Sequence, residues 1–193
     1  AFSMFSLYPL IGRYLSGTAA SGLFEAKLGH AHMGKETHVF SAAYAQEEFD
    51  EIVRICDHIV FNSFAQFETY REKVLPGGKK AGIRINPECS TQEHGIYDPC
   101  AKGSRLGVKS DNFPAQLPEG VSGLHFHTLC EQNADALVRT LGAVEEKFGR
   151  YLSRMEWINF GGGPHITRAD YDVETLIASI NAFKEKYHVQ IYL

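Results

Sequence analysis

The stretch "THVFSAAYAQEEFDEIVRICDHIVFNS" (residues 37–63) reads as strand, helix, strand with almost nothing between the elements. "THVFSA" (37–42) and "HIVFNS" (58–63) are rich in β-branched and aromatic residues, which fit a pleated, half-buried surface. Between them, "QEEFDEIVRIC" (46–56) sets Phe49, Ile52, Val53 and Cys56 in one stripe at helical spacing. Two strands joined through a helix run parallel, because the helix carries the chain back to the end from which the first strand started. The stretch is one βαβ unit.

The same unit repeats on both sides. Upstream, apolar residues at 4, 7, 8, 11, 14 and 15 predict a helix, "GTAAS" (17–21) a short strand of small residues, and "LFEAKLGHAHM" (23–33) another helix. Downstream, Ser63 and Gln66 form a capping box for a helix carrying Phe67, Tyr70 and Val74. "AGIRIN" (81–86) is a strand. Residues 86–118 lack a period and hold four of the seven prolines. "GLHFHT" (123–128) is a strand, and residues 133–150 form a helix with Leu137, Val138, Leu141, Val144 and Phe148 in line. "WINFGGG" (157–163) is a strand ending in glycines. Residues 172–187 are a helix, and "VQIYL" is a last strand.

Seven strands alternating with helices, with a helix in front, give the α/β class. The expected architecture is a (β/α)8 TIM-type barrel that lacks strand 1 and is cut within strand 8, with residues 1–193 as part of one barrel domain. A doubly wound open sheet is the competing arrangement, and the lack of a GxGxxG turn counts against it. The first residue is not Met and the last strand stops short, so a fragment of a longer chain is expected.

Composition narrows the function classes. The 193 residues are 44% hydrophobic and 22% charged with a formal net charge of -4, which disfavours nucleic acid and anionic membranes as partners. No apolar run reaches the roughly 18 residues of a spanning helix. The N-terminus lacks the basic region and cleavage site of a signal peptide. Cys56, Cys89, Cys100 and Cys130 form no CxxC pair and are expected as reduced thiols in a cytoplasmic protein.

In a barrel, functional residues collect at the C-terminal ends of strands. That rule selects Ser21, Ser41, Asn62, Asn86 to Glu88, His127 to Cys130, and Gly161 to Gly163. Three successive glycines in "NFGGGPHI" (159–166) let backbone approach a ligand and offer N–H groups to an anion, although a flexible turn would look the same. His125 and His127 share one face of their strand. They are metal ligands, packing groups or satisfied core histidines. The other strand ends supply no ligands, and only Glu88 and Glu131 are near in sequence, so no metal site is assigned. "HAH" (30–32) reads as the tail of a surface helix. Arg84, flanked by Ile83 and Ile85, should point inward, either to a core ion pair or to a bound anion. Arg105 closes the long loop, where a solvated arginine is the plain alternative.

Taken together, these residues resemble the alanine racemase-like, fold type III family of pyridoxal 5'-phosphate enzymes. "LHFHT" is similar to the segment whose histidine stacks on the cofactor ring, here His127. "FGGG" resembles the phosphate-binding loop, at Gly161, Gly162 and Gly163. "GIRI" matches the strand with a cofactor-site arginine, here Arg84. "SRLG" is similar to the racemase segment whose arginine meets the cofactor's phenolic oxygen, here Arg105, where decarboxylase relatives carry a lysine nearby. Cys130 stands where relatives place a phosphate-side serine. Over "INPECSTQEHGIYDPCAKGSRLG", "GLHFHTLCEQN" and "INFGGGPHITRADYD" the resemblance narrows to the carboxynorspermidine/carboxyspermidine decarboxylases.

The resemblance implies a lyase of polyamine biosynthesis acting on a small carboxylated polyamine, with shared sites in a homodimer and a β-rich domain after the barrel. It puts the cofactor lysine just before Ala1 and the glutamate facing the pyridine nitrogen just after Leu193, so no catalytic residue falls within the chain. It also leaves a departure: relatives carry an acidic residue after strand 2, and "GTAAS" has none. Three other readings stay open: the same fold acting on diaminopimelate, arginine or ornithine; a metal-dependent barrel hydrolase using His125 and His127; and a carrier that binds the cofactor without turnover.

Overall fold

Seven strands alternate with helices along residues 2–92 and 94–193, which the computed structural model describes. The chain forms two compact units. One runs to Ile83 and adds Pro118–Val121; the other comprises Arg84–Leu117 and Ser122–Leu193.

The first unit contains α1 (Tyr8–Ile11), β1 (Gly17–Ala20), α2 (Leu23–His32), β2 (Glu36–Ser41), α3 (Gln46–Ile55), β3 (His58–Phe61), α4 (Phe64–Val74) and β4 (Lys80–Arg84), less the last residue of β4. Its strands pair in parallel and in chain order, β1 with β2, β2 with β3 and β3 with β4. Among the described residues of this unit no strand is inserted out of sequence, as the switch point of a doubly wound sheet would require. Aromatic rings hold the helices to the strands. Phe61 is fully buried and meets Phe67 edge-on at 5.6 Å and Tyr44 at 5.8 Å. Phe49 of α3 stacks on Tyr70 of α4 at 3.8 Å. The Tyr44 hydroxyl donates to Val60 O at 2.8 Å, which satisfies its polar end inside the ring cluster.

The capping box holds, with a shift. Ser63 Oγ accepts from Gln66 N at 3.1 Å, while Gln66 Oε1 reaches past the cap residue to Asn62 N at 2.8 Å. The helix predicted over residues 4–15 does not extend that far. Pro9 stands in the first turn of α1, the helix stops at Ile11, and the following N–H groups of Arg13 and Tyr14 bond three residues back. Phe2, Met4, Phe5, Leu7, Leu10 and Leu15 remain exposed. An amphipathic stripe holds a helix mainly through the surface it buries, and this one buries little.

The second unit contains β5 (Val121–His125, from Ser122 onward), α5 (Ala134–Leu152), β6 (Trp157–Asn159), α6 (Val173–Tyr187) and β7 (Gln190–Tyr192). β5 pairs with β6, and β6 with β7, again parallel and in order. The proline-bearing loop has little regular structure but is anchored. Asn86 Nδ2 donates to Pro99 O and to Leu106 O, each at 3.2 Å. Phe113 packs on Phe148 and Tyr151 of α5, and the Tyr151 hydroxyl donates to Pro114 O at 2.8 Å. Asp172 caps α6, accepting from Thr175 N at 2.9 Å. All four cysteines are free thiols.

Replacing Phe61 with Ala removes the ring on which this cluster closes. It should cost about 3–5 kcal/mol of unfolding free energy, measured as a lower denaturant midpoint at unchanged slope. A loss below about 1 kcal/mol would contradict its central place.

Candidate functional site

β5 and β6 set the site by where they stop. The strands expected over 123–128 and 157–163 end at His125 and Asn159. One further backbone bond follows each end, Phe126 N to Asn159 O at 3.0 Å and Phe160 N to Tyr192 O at 2.9 Å. Beyond them the two segments are joined by an isolated bridge between Gln132 and Pro164.

The glycine loop lies directly on the segment after β5. Gly161 has φ +74°, and a Cβ there would stand 2.4 Å from Phe126 O. Gly163 has φ +100°, and a Cβ there would stand 2.1 Å from Leu129 O. Both positions need glycine for conformation and for closeness. Gly162 differs: it has no left-handed φ, and its Cβ would meet only His127 Cε1, at 3.6 Å. Asn159 Oδ1 accepts from Gly161 N at 2.7 Å, and His127 Nδ1 accepts from Gly162 N at 3.4 Å. Gln132 N donates to Gly163 O at 3.1 Å and His165 N to Gln132 O at 3.2 Å, which ties the loop's far end to the start of α5.

His125 and His127 do project to one side, with rings 13° from parallel and centroids 6.5 Å apart. His125 is buried; His127 is exposed. Arg84, at the end of β4, is 5% exposed and donates from Nη2 to His127 O at 3.0 Å. Burial pushes its pKa down to about 10, so the guanidinium stays charged at neutral pH. The protein mass behind His127, and then the Arg84 charge, hold the His127 pKa below the usual imidazole value. Nδ1 faces the Gly162 N–H, so a neutral ring carries its hydrogen on Nε2.

A cavity of about 400 Å³ opens here, lined by Tyr97, His127, Cys130, Glu131, Gly163 and His165 among others. Six of the seven residues selected from sequence, Arg84, His127, Cys130, Gly161, Gly162 and Gly163, thus lie in or beside one place. Arg105 is exposed on the turn of the long loop and is not part of the cavity wall. Tyr97 and His165 were not foreseen, and Glu131 was noted only as a carboxylate near the two histidines. Tyr97 and His165 had no periodicity to announce them, and Glu131 is aimed by a left-handed backbone at φ 53°. A side network of Gln92 Nε2 to Thr128 O at 3.0 Å and to Gln132 Oε1 at 2.8 Å fixes the loop beneath. Among the described residues, no group of three metal-ligating side chains includes His125 or His127. Glu88 is engaged by Lys109 at 2.7 Å and Lys147 at 3.5 Å. The expected positions before Ala1 and after Leu193 lie outside the described residues.

The volume and donor set fit pyridoxal 5'-phosphate. Small-molecule sites run from roughly 300 to 1,000 Å³. An imidazole face suits an aromatic ring, and the space that a Cβ at Gly162 would enter suits an anion held by backbone N–H groups.

No family model matches the chain. Solved structures first define its class. It covers 100% of its own length and 54% of diaminopimelate decarboxylase from Helicobacter pylori complexed with L-lysine, at TM-score 0.79 and 16% identity, which shows a shared α/β fold. It matches carboxynorspermidine decarboxylase complexed with norspermidine from Campylobacter jejuni more closely, at TM-score 0.90 and 42% identity over 100% of this chain and 49% of that one. Among curated proteins it is 44% identical over 192 residues to a carboxynorspermidine/carboxyspermidine decarboxylase of Campylobacter jejuni, covering 50% of that protein. It is 40% identical over 193 residues to a carboxyaminopropylagmatine decarboxylase of Synechocystis, again covering 50%. The chain is a homologue of these decarboxylases, and it spans about half the length of the curated relatives it matches.

Removing the charge of Arg84 tests the electrostatics of the site. In Arg84→Gln, His127 should titrate at a higher pH than in the unmodified protein, read from its ring proton shifts by NMR. An unchanged or lower midpoint would show that Arg84 does not bear on the imidazole.

Proposed function

We propose that the protein is a pyridoxal-phosphate-dependent carboxy-lyase that removes the α-carboxylate of carboxynorspermidine or carboxyspermidine, yielding norspermidine or spermidine in polyamine biosynthesis. The observation that carries this reading is the juxtaposition of His127 with the Gly161–Gly163 backbone at one cavity, in a chain 44% identical to an enzyme of that name. When bound, the cofactor supplies an electron-accepting ring for the electrons of the breaking carbon–carbon bond.

Each residue then has a defined task. His127 holds the plane of the cofactor ring. Gly162 and Gly163 hold its phosphate, since the Gly161 N–H is already bonded to Asn159 while the Gly162 N–H makes only a long contact. Arg84 positions His127 through its carbonyl and adds positive charge beside the site. Cys130 completes the set at the cavity wall, and Arg105, which lies outside that wall, would meet the cofactor only from the loop side. The lysine that carries the cofactor and the glutamate facing the pyridine nitrogen belong to the chain on either side. With them the fold completes as a (β/α)8 barrel followed by a β-rich domain, in a homodimer that shares its sites. Among the described residues no helix is long and apolar enough to cross a membrane.

A second substrate has its own support. The 40% identity to a carboxyaminopropylagmatine decarboxylase spans the whole chain, so carboxyaminopropylagmatine is the alternative donor of carbon dioxide.

The full-length protein should show a visible cofactor absorption band that borohydride bleaches. It should release carbon dioxide from carboxynorspermidine or carboxyspermidine with higher kcat/KM than from carboxyaminopropylagmatine or diaminopimelate. Turnover confined to diaminopimelate, or no band, would end this reading. His127→Ala should retain less cofactor and turn over about a hundredfold more slowly; unchanged content and rate would remove His127 from the site.

A further inference from the structure

Glu36, His38 and His58 stand together at the N-terminal ends of β2 and β3. Strand geometry puts them there. Glu36 and His38 are two residues apart on β2, so they project to the same face. The ladder pairs His38 directly with His58. Phe61 of β3 faces the helices, so His58, three residues earlier, faces the other way, as does Val60. Ala19 pairs with His38 on the β1 side, and a small residue there leaves the imidazole room.

The geometry is tight. The two Nδ1 atoms are 3.1 Å apart, and Glu36 Oε2 is 3.1 Å from His38 Nε2. One potential ligand atom from each of the three residues lies within 4.8 Å of the other two. Two Zn–N bonds of about 2.0–2.1 Å at a tetrahedral angle place their nitrogens about 3.3 Å apart. His38 is 7% exposed and His58 2%, while the Glu36 side chain is 46% exposed and free to adjust. A cavity of about 680 Å³, lined by Glu36, Asp57, His58, Lys79 and Lys80 among others, opens the cluster to solvent. Lys35 and Arg54 line it as well as Lys79 and Lys80, and the carboxylates of Glu36 and Asp57 offset two of these four charges.

We propose that Glu36, His38 and His58 form a site for one divalent transition-metal ion, of which Zn2+ fits the ligand set best. Two imidazoles and a carboxylate match the ligand types this ion takes, with a fourth position left to water from the cavity. Burial keeps both imidazoles in the neutral form that binds metal. In the bare pair, one Nδ1 donates and the other accepts. On binding, both Nδ1 lone pairs turn to the ion, each ring carries its hydrogen on Nε2, and the exposed Glu36 side chain swings from His38 Nε2 to the ion, so the exchange needs no oxidant and no net proton release. Barrel enzymes place their chemistry at the C-terminal ends of strands; this site is at N-terminal ends, and its role is to fix β2 to β3.

The test uses the full-length protein, stripped with chelator and dialysed against micromolar ZnCl2. One Zn2+ per chain should be retained by elemental analysis, and CoCl2 in its place should give the visible absorption of a four-coordinate ion. His58→Ala should abolish both. Glu36→Gln changes an exposed side chain and should fold normally; it should weaken binding about ten- to a hundredfold. No retained Zn2+ and no cobalt spectrum in the unmodified protein would overturn the proposal. So would binding that Glu36→Gln leaves unaltered in a normally folded protein, even if His58→Ala proves unstable.

Discussion

In the ladders from β1 to β4 and from β5 to β7, each residue stands beside one residue of the next strand along the chain. Side chains alternate between the two faces of such a ladder, so the register sorts every strand residue. Phe61 goes to the helices and joins Phe49, Phe67 and Tyr70. His38 and His58 go to the other face and meet. His125 and His127, two apart, keep nearly parallel rings although only His125 is within the strand. A slip of one residue between β2 and β3 would exchange these sets and break both the aromatic cluster and the His38–His58 contact.

Where the ladder ends, close backbone approach takes over. The loop at Gly161–Gly163 can lie on Phe126–Leu129 because two of its glycines lack the Cβ that would collide. The third, Gly162, leaves open the space beside His127 Cε1. One tripeptide therefore does two jobs: Gly161 and Gly163 seat the loop, and Gly162 keeps its upper side bare. Arg84 acts in a similar double way. Its guanidinium bonds His127 O and fixes the segment's course, and its charge lowers the basicity of the ring.

Much of this was legible in the sequence. The alternation of strand and helix was readable because apolar residues recur with periods of about two or 3.6 over whole elements. The Ser63 cap followed from residue types at fixed spacing. The triple glycine stood out because no other residue tolerates φ +74° and +100° beside a neighbouring backbone. The first helix was misjudged for the opposite reason. Its stripe was present at residues 4–15, but the turn after α1 and the lack of buried surface beneath it kept the helix to one turn. The ends of β5 and β6 were overshot by three and four residues, since extended backbone continues past the last ladder pair.

The sequence by itself determined the class of fold, the βα rhythm and the glycines of a close turn, because those rest on local periodicity and on residue chemistry at short spacing. Only the tertiary structure decided which distant residues meet. Tyr97 reaches the cavity with His127, thirty positions on, through a loop that Asn86 and Phe113 hold in place. His38 and His58 lie twenty residues apart with a helix between them, and only the register of two parallel strands brings their Nδ1 atoms to 3.1 Å. Periodicity is a property of one segment; register belongs to a pair of segments, and it is fixed by the packing of the helix that joins them.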